Sequence, residues 1–182
     1  GAEVVLVAGP VALATPPGVR RIDVDDAAQM LEATFAQIAG TDIFIATAAV
    51  ADYRPAQPAA KKIKKTSESL ALEMQRTTDI LAAVAALAEP PFVVGFAAET
   101  DSLEQYAWQK LLKKKLDMIA ANEVGHDKVF EKDDNALLVL WRTGRRELPQ
   151  APKSELAKQL VALIAEVYTE TRVATRQEQV RA

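Results

Sequence analysis

At 182 residues and 49% hydrophobic, the chain is long enough for one sizeable core and short for two, so a single domain over residues 1–170 with a polar tail over 171–182 is expected. Lys and Arg total 22 against 25 Asp and Glu, a formal charge of -3, which removes the footprint of a general nucleic-acid binder. Cysteine is absent and His126 is the one histidine, which excludes disulfides, thiolate metal sites, a cysteine nucleophile and a multi-histidine centre. No apolar run reaches the ~18 to 20 residues of a membrane span, and the start "GAEVVLVAGP" lacks the basic region of a signal peptide. No membrane partner, no nucleic acid and a cytoplasmic setting are therefore expected.

Along the chain, the β-rich runs "EVVLVAG", "DIFIATAAV", "PFVVGFAAE" and "LDMIAAN" are apolar on both faces, as buried parallel strands are. Between the first two, Ala27, Leu31, Phe35 and Ile38 recur at spacings of four, four and three, so a helix is predicted with Asp25/Asp26 favouring its start and Gly40 its stop. Thr77 and Thr78 are placed to cap "DILAAVAALA", and Ser102 with Gln105 has the capping-box spacing ahead of "SLEQYAWQKLLKKK". This alternation of strand and helix argues for right-handed crossovers and a three-layer α/β sandwich with a mostly parallel sheet. "NALLVLWR" and "RRELPQ" around Thr143-Gly144 predict an edge hairpin, and "KSELAKQLVALIAEVYTE" a last amphipathic helix.

Open parallel sheets bind ligands beyond the carboxyl ends of their strands. The loops there hold Gly9-Pro10, "ATAAVADYR", "GFAAET" and "AANEVG". Small residues dominate them, among them Ala46, Thr47, Ala48, Ala49, Gly95, Ala97 and Ala98; these admit close approach of a flat ligand, or simply pack strand against helix. No G-x-G-x-x-G, P-loop or G-x-S-x-G occurs, and the carboxylate pairs Asp25/Asp26 and Asp133/Asp134 sit where capping and solvation explain them. In the helix after "GFAAET", a turn of 100° per residue puts Lys110 and Lys114 within about 20° either side of Leu103, on the inward stripe. Lys113 and Lys115 project elsewhere. Inward lysines either snorkel, stems on apolar surface and ammonium in water, or converge on an anion. The cluster "KKIKK" after the Pro/Ala spacer from Pro55 to Ala60 lacks the aromatics of a nucleic-acid patch. As a phosphate clamp on a loop it has a physical logic, since a lysine there can follow developing charge.

"AAVADYR", the first lysine of "KIKK" ten residues after its Asp, "TTDI", "GFAAET" and "QKLLKKKLDMIAAN" keep one order and spacing from about Gly1 to Tyr168. In these the chain resembles the phosphopantothenate-cysteine ligases, the phosphopantothenoylcysteine synthetase domain of the bacterial bifunctional coenzyme A biosynthesis protein. The resemblance implies a Rossmann-like homodimer that uses CTP and Mg2+ to join 4'-phosphopantothenate and L-cysteine through an acyl-cytidylate, releasing pyrophosphate and then CMP. It implies that Ala46, Thr47, Ala48 and Asp52 hold the nucleotide, with Thr78, Asp79, Ile80 and Leu81 adding contacts and Phe96 lining the pocket. Lys110 and Lys114 would grip phosphates, and Lys62 would be the catalytic lysine that stabilises the pentavalent α-phosphorus. The metal ligands stay unassigned. Thr77-Thr78 stand where many members read Asn-Pro. The family's opening strand and Asn/Ser/Gly loop, which have no match from Gly1 onward, are expected to be missing, and FMN is expected only on the decarboxylase domain that the bifunctional protein carries ahead of this one. The alternative is a nucleotide-binding or dimerisation module without catalysis.

Overall fold

The structure is a computed structural model that describes residues 1–59, 61–64, 68–124 and 134–181, with side chains to 173 in the last stretch. The chain forms two compact units: residues 1–41 with 48–83, and residues 42–47 with 84–182.

In the first unit, β1 (Val4–Ala8) takes a partner not legible in the sequence. It pairs in parallel with β2 (Val19–Asp23), from Val4 opposite Val19 to Ala8 opposite Asp23. Helix α1 (Ala27–Ile38) starts as expected: Asp26 Oδ1 accepts from the Gln29 amide at 2.8 Å, and Gln29 Oε1 accepts from the Asp25 amide at 2.9 Å. Two otherwise orphaned amide donors are thereby satisfied. The helix ends where Ala39 turns extended (φ -62°, ψ 122°), and Gly40 at φ +76° completes a tight turn closed by the Thr41 amide donating to the Ile38 carbonyl at 3.1 Å. Later in this unit the chain makes an antiparallel ribbon of β4 (Tyr53–Pro55) and β5 (Met74–Arg76), also absent from the sequence reading. Its pairing is extended by backbone bonds from Ala56 to Glu73 and from Thr77 to Asp52, each 2.9 Å.

The second unit holds a five-stranded sheet in the order β3 (Ile43–Ala46), β6 (Phe92–Glu99), β7 (Met118–Glu123), β8 (Asp134–Trp141) and β9 (Gly144–Pro152). The first three run parallel; β8 and β9 form the expected hairpin at one edge. Helix α3 (Leu103–Lys113) packs on one face and α4 (Lys153–Arg181) on the other, the expected three layers. Side-chain alternation explains the division. Phe92, Val94, Met118, Ala120, Leu137 and Val139 face α4, meeting Leu156, Leu160, Leu163, Ile164 and Val167. The intervening Val93, Ala97, Ile119 and Ala121 are buried on the α3 side. Each such aliphatic side chain contributes roughly 1.5 to 3 kcal/mol on burial. At the hairpin turn a Cβ on Gly144 would stand 2.6 Å from Trp141 Cζ2, so the indole's fold-back requires glycine.

Two capping expectations are overturned. Helix α2 (Ile80–Ala85), within which the boundary between the units falls, is capped not by a threonine but by Asp79, whose Oδ1 accepts from the Ala82 amide at 3.0 Å. Thr77 instead donates its hydroxyl to the Ala51 carbonyl. Ser102 does precede α3, but its backbone is left-handed (φ 47°, ψ 42°) and its side chain makes no cap bond. A capping hydroxyl needs an extended backbone to reach the N3 amide. The helix also runs further at the end of the chain than the sequence period suggests, since α4 extends to Arg181.

Candidate functional site

The carboxyl ends of the three parallel strands are stepped. β3 stops at Ala46, paired with Gly95, whereas β6 continues to Glu99, opposite Glu123 at the end of β7. Thr47 is exposed at the step. From here α3 returns antiparallel to β6, with Ala107 and Leu111 fully buried along its inner stripe. Lys110 and Lys114 lie beside that stripe and are half-buried, while Lys113 and Lys115 are exposed, as the angular reading has it.

The helix ends in a Schellman motif. Leu116 N–H donates to Leu111 C=O at 2.9 Å and Lys115 N–H to Leu112 C=O at 3.2 Å, with Lys115 left-handed at φ 56°. Leu111 and Leu116 seal the turn at 0% exposure each. That arrest fixes the inner stripe and therefore where Lys110 stands. Its Nζ donates to Glu99 Oε1 at 2.5 Å; the Glu99 side chain is 17% exposed and the Lys110 side chain 44%. Glu99 lies outside the candidates drawn from the sequence. The signal was its parity: counting from buried Val93 and Ala97, Glu99 falls on the α3 face at the last position of the strand.

Phe96 falls on the opposite face and packs partly buried against the α4-side cluster. The sheet therefore separates the Phe96 ring from Lys110. A hollow of about 460 Å³ opens on the second unit beside the start of α3, bounded by Leu103, Glu123, Asp134, Glu147 and Gln150. Its carboxylates disfavour a polyanion.

The remaining candidates belong to the first unit. Ala48 and Asp52 are exposed on the loop that follows Thr47, a loop held by the Thr77 hydroxyl on Ala51 and the Thr77 amide on Asp52. Thr78 and Asp79 are exposed, Leu81 is half-buried, and Ile80 is 8% exposed with its side chain in the core. Lys62 is exposed between β4 and β5, with Lys61 and Lys64 beside it. Asp52 and Lys62 thus sit on one ribbon, the aspartate at its base and the lysine beyond its far end. Lys65, His126 and Asp133 lie outside the described residues. Among the described residues no group of three or more Asp, Glu or His is arranged to hold a metal, and no helix is long and apolar enough to cross a membrane.

A sheet of parallel strands with helices on both faces and small-residue loops past its carboxyl ends defines a Rossmann-like α/β protein. The chain belongs to the family described as DNA/pantothenate metabolism flavoprotein C-terminal domain, whose model matches residues 1–168. It is 49% identical over 170 residues to the coenzyme A biosynthesis bifunctional protein CoaBC of Vibrio cholerae, covering 91% of this chain and 43% of that one. Against the protein of the same name from Escherichia coli K12 it is 46% identical over 175 residues, covering 93% and 43%. The chain thus spans less than half the length of these relatives. Among solved structures it resembles the C-terminal domain of a coenzyme A biosynthesis bifunctional protein CoaBC, with a TM-score of 0.77, 36% identity, and coverage of 93% of this chain and 76% of that one. The DNA/pantothenate metabolism flavoprotein of Streptococcus pneumoniae shares the fold at a TM-score of 0.72 and 21% identity, over 91% and 82%.

Proposed function

We propose that the chain serves coenzyme A biosynthesis as a CTP-dependent ligase that joins 4'-phosphopantothenate to L-cysteine. The carboxylate of phosphopantothenate attacks the α-phosphorus of CTP and expels pyrophosphate, giving an acyl-cytidylate. The cysteine amine then attacks the acyl carbon, CMP leaves, and the amide forms. The protein's tasks in such a sequence are positioning and charge neutralisation.

The observation that carries the reading is Lys110: an ammonium at the carboxyl end of a parallel strand, ion-paired yet still 44% exposed on its side chain, where open α/β sheets receive ligands. In this reading Lys110 and Lys114 neutralise phosphates and Ala46 to Ala48 with Asp52 receive the nucleoside part, while Phe96, expected from the sequence to line that pocket, packs on the α4 face of the sheet and is left out of it. Thr78 to Leu81 add contacts through backbone and polar groups, since Ile80 keeps its side chain in the core. Lys62 acts as the catalytic lysine on the α-phosphate, Mg2+ arrives with the triphosphate, and the working assembly is a homodimer attached to a decarboxylase domain.

The test is incubation of the full chain with CTP, Mg2+, phosphopantothenate and cysteine, following pyrophosphate release. Turnover is expected, and Lys62→Ala is expected to reduce it about 10²- to 10³-fold with an unchanged circular dichroism spectrum. CTP binding without pyrophosphate release would reduce the protein to a nucleotide-binding module; normal turnover by Lys62→Ala would make that lysine a bystander.

A further inference from the structure

The Glu99–Lys110 pair joins the last residue of a central strand to the inner stripe of the helix that follows it. Two properties make it more than a surface ion pair. Its carboxylate side chain is 17% exposed, so Glu99 has few alternatives to Lys110 for satisfying its charge. Its ammonium carries three donors, one spent on Glu99 at 2.5 Å, and the lysine side chain is 44% exposed, so the other donors are open to a ligand. Unrestrained, a lysine head samples many rotamers and must lose that freedom on gripping a phosphate. Protein kinases meet the same problem with a strand lysine that grips phosphates only while a helix glutamate holds it. Here the elements are exchanged: the glutamate is on the strand and the lysine on the helix.

We infer that Glu99 is a positioning residue, holding the Lys110 ammonium at the end of β6 so that its remaining donors meet the phosphates of the nucleotide. The inference rests on the proposed function for the identity of the ligand and on geometry alone for the contact. Glu99 acts through Lys110, so its effect must vanish when Lys110 is gone. Other ways of affecting the site would survive that loss.

The experiment is a double-mutant cycle on the full chain, with CTP and Mg2+ titrated into the parent, Glu99→Gln, Lys110→Met and the combined variant. Lys110→Met is expected to weaken CTP about tenfold or more and Glu99→Gln about three- to tenfold. The combined variant should be no weaker than Lys110→Met. In parallel, the Lys110 ammonium signal in a lysine-labelled NMR spectrum without nucleotide should broaden through faster exchange with water when Glu99 becomes Gln; an unmoved signal would overturn the contact, and the CTP cycle separates a positioning role from a merely structural one. Glu99→Asp, which keeps the charge on a shorter stem, should restore part of the affinity. Additive effects, or tighter CTP binding by Glu99→Gln, would overturn the inference, the latter identifying Glu99 as a competitor of the phosphate. Unaltered CTP affinity in Lys110→Met, or no binding by the parent, would overturn the nucleotide role itself, and the ammonium signal would still report whether Glu99 holds the lysine.

Discussion

Arg146 on β9 meets Glu166 on α4 through two hydrogen bonds of 2.8 and 3.1 Å. The arginine's hydrogen bonds and charge hold the Glu166 carboxyl below the ordinary glutamate range. Asp117, at the opposite end of β7 from the candidate site, behaves in the reverse sense. Burial pushes its carboxyl up, partly offset by the Val93 amide donating at 2.7 Å and by the charge of Arg142. The signs are opposite for stability. The contribution of Glu166 is present above the unfolded pKa and lost as pH falls through the lowered folded value; that of Asp117 is present in acid and lost as pH rises through its raised value. Carboxyl-carbon NMR titration should therefore find Glu166 below and Asp117 above their ordinary ranges. Arg146→Ala should bring the Glu166 midpoint up and leave Asp117 where it was. Neither partnership was legible beforehand, because β9 and α4 carry charges at many exposed positions and only the packed register selects which of them meet. The Asp26 cap was legible, since it depends on residues three apart.

At the scale of elements, the period of α1 and the edge hairpin could be read directly from the text, whereas β2, β4 and β5 could not. Arg20 and Arg21 interrupt β2, and every residue of the β4–β5 ribbon is exposed, so neither shows the apolar pattern by which a buried strand is recognised. The ends of α3 show how backbone conformation overrules side-chain spacing. Ser102 and Lys115 are the non-glycine residues with positive φ among those described, and they bracket this one helix. A side chain in the left-handed region carries a steric cost that glycine avoids. Lys115→Gly is accordingly expected to raise stability by roughly 0.5 to 1 kcal/mol, read as a higher denaturant midpoint at an unchanged slope. A lower midpoint would mean that the lysine side chain contributes more than its backbone costs.

For the molecule as a whole, the two units are threaded rather than strung. The chain crosses between them after residues 41, 47 and 83, so each unit includes two separate stretches of sequence. Length and composition predict one domain and carry no trace of this threading, which depends on long-range contacts. The three-layer sheet of the second unit was legible because its central strands are apolar on both faces. Val94, Ala120 and Val139 are all 0% exposed on successive strands, and the ribbon strands are wholly exposed. Native-state hydrogen exchange should therefore be slowest for the amides of Val94, Ala120 and Val139 and faster by about 100-fold or more in Arg54 and Gln75. Comparable protection in the ribbon would show that it is covered in the assembled protein.

The same ribbon sets a limit on Lys62. Its stem closes at the Ala56–Glu73 bond, six residues ahead of the lysine, and six residues reach at most about 20 Å. The ammonium is therefore a leashed reagent. Its effective concentration near the stem is on the order of millimolar or higher, fixed by chain length and independent of how much protein is present. Lengthening the leash would dilute that charge without altering a single contact.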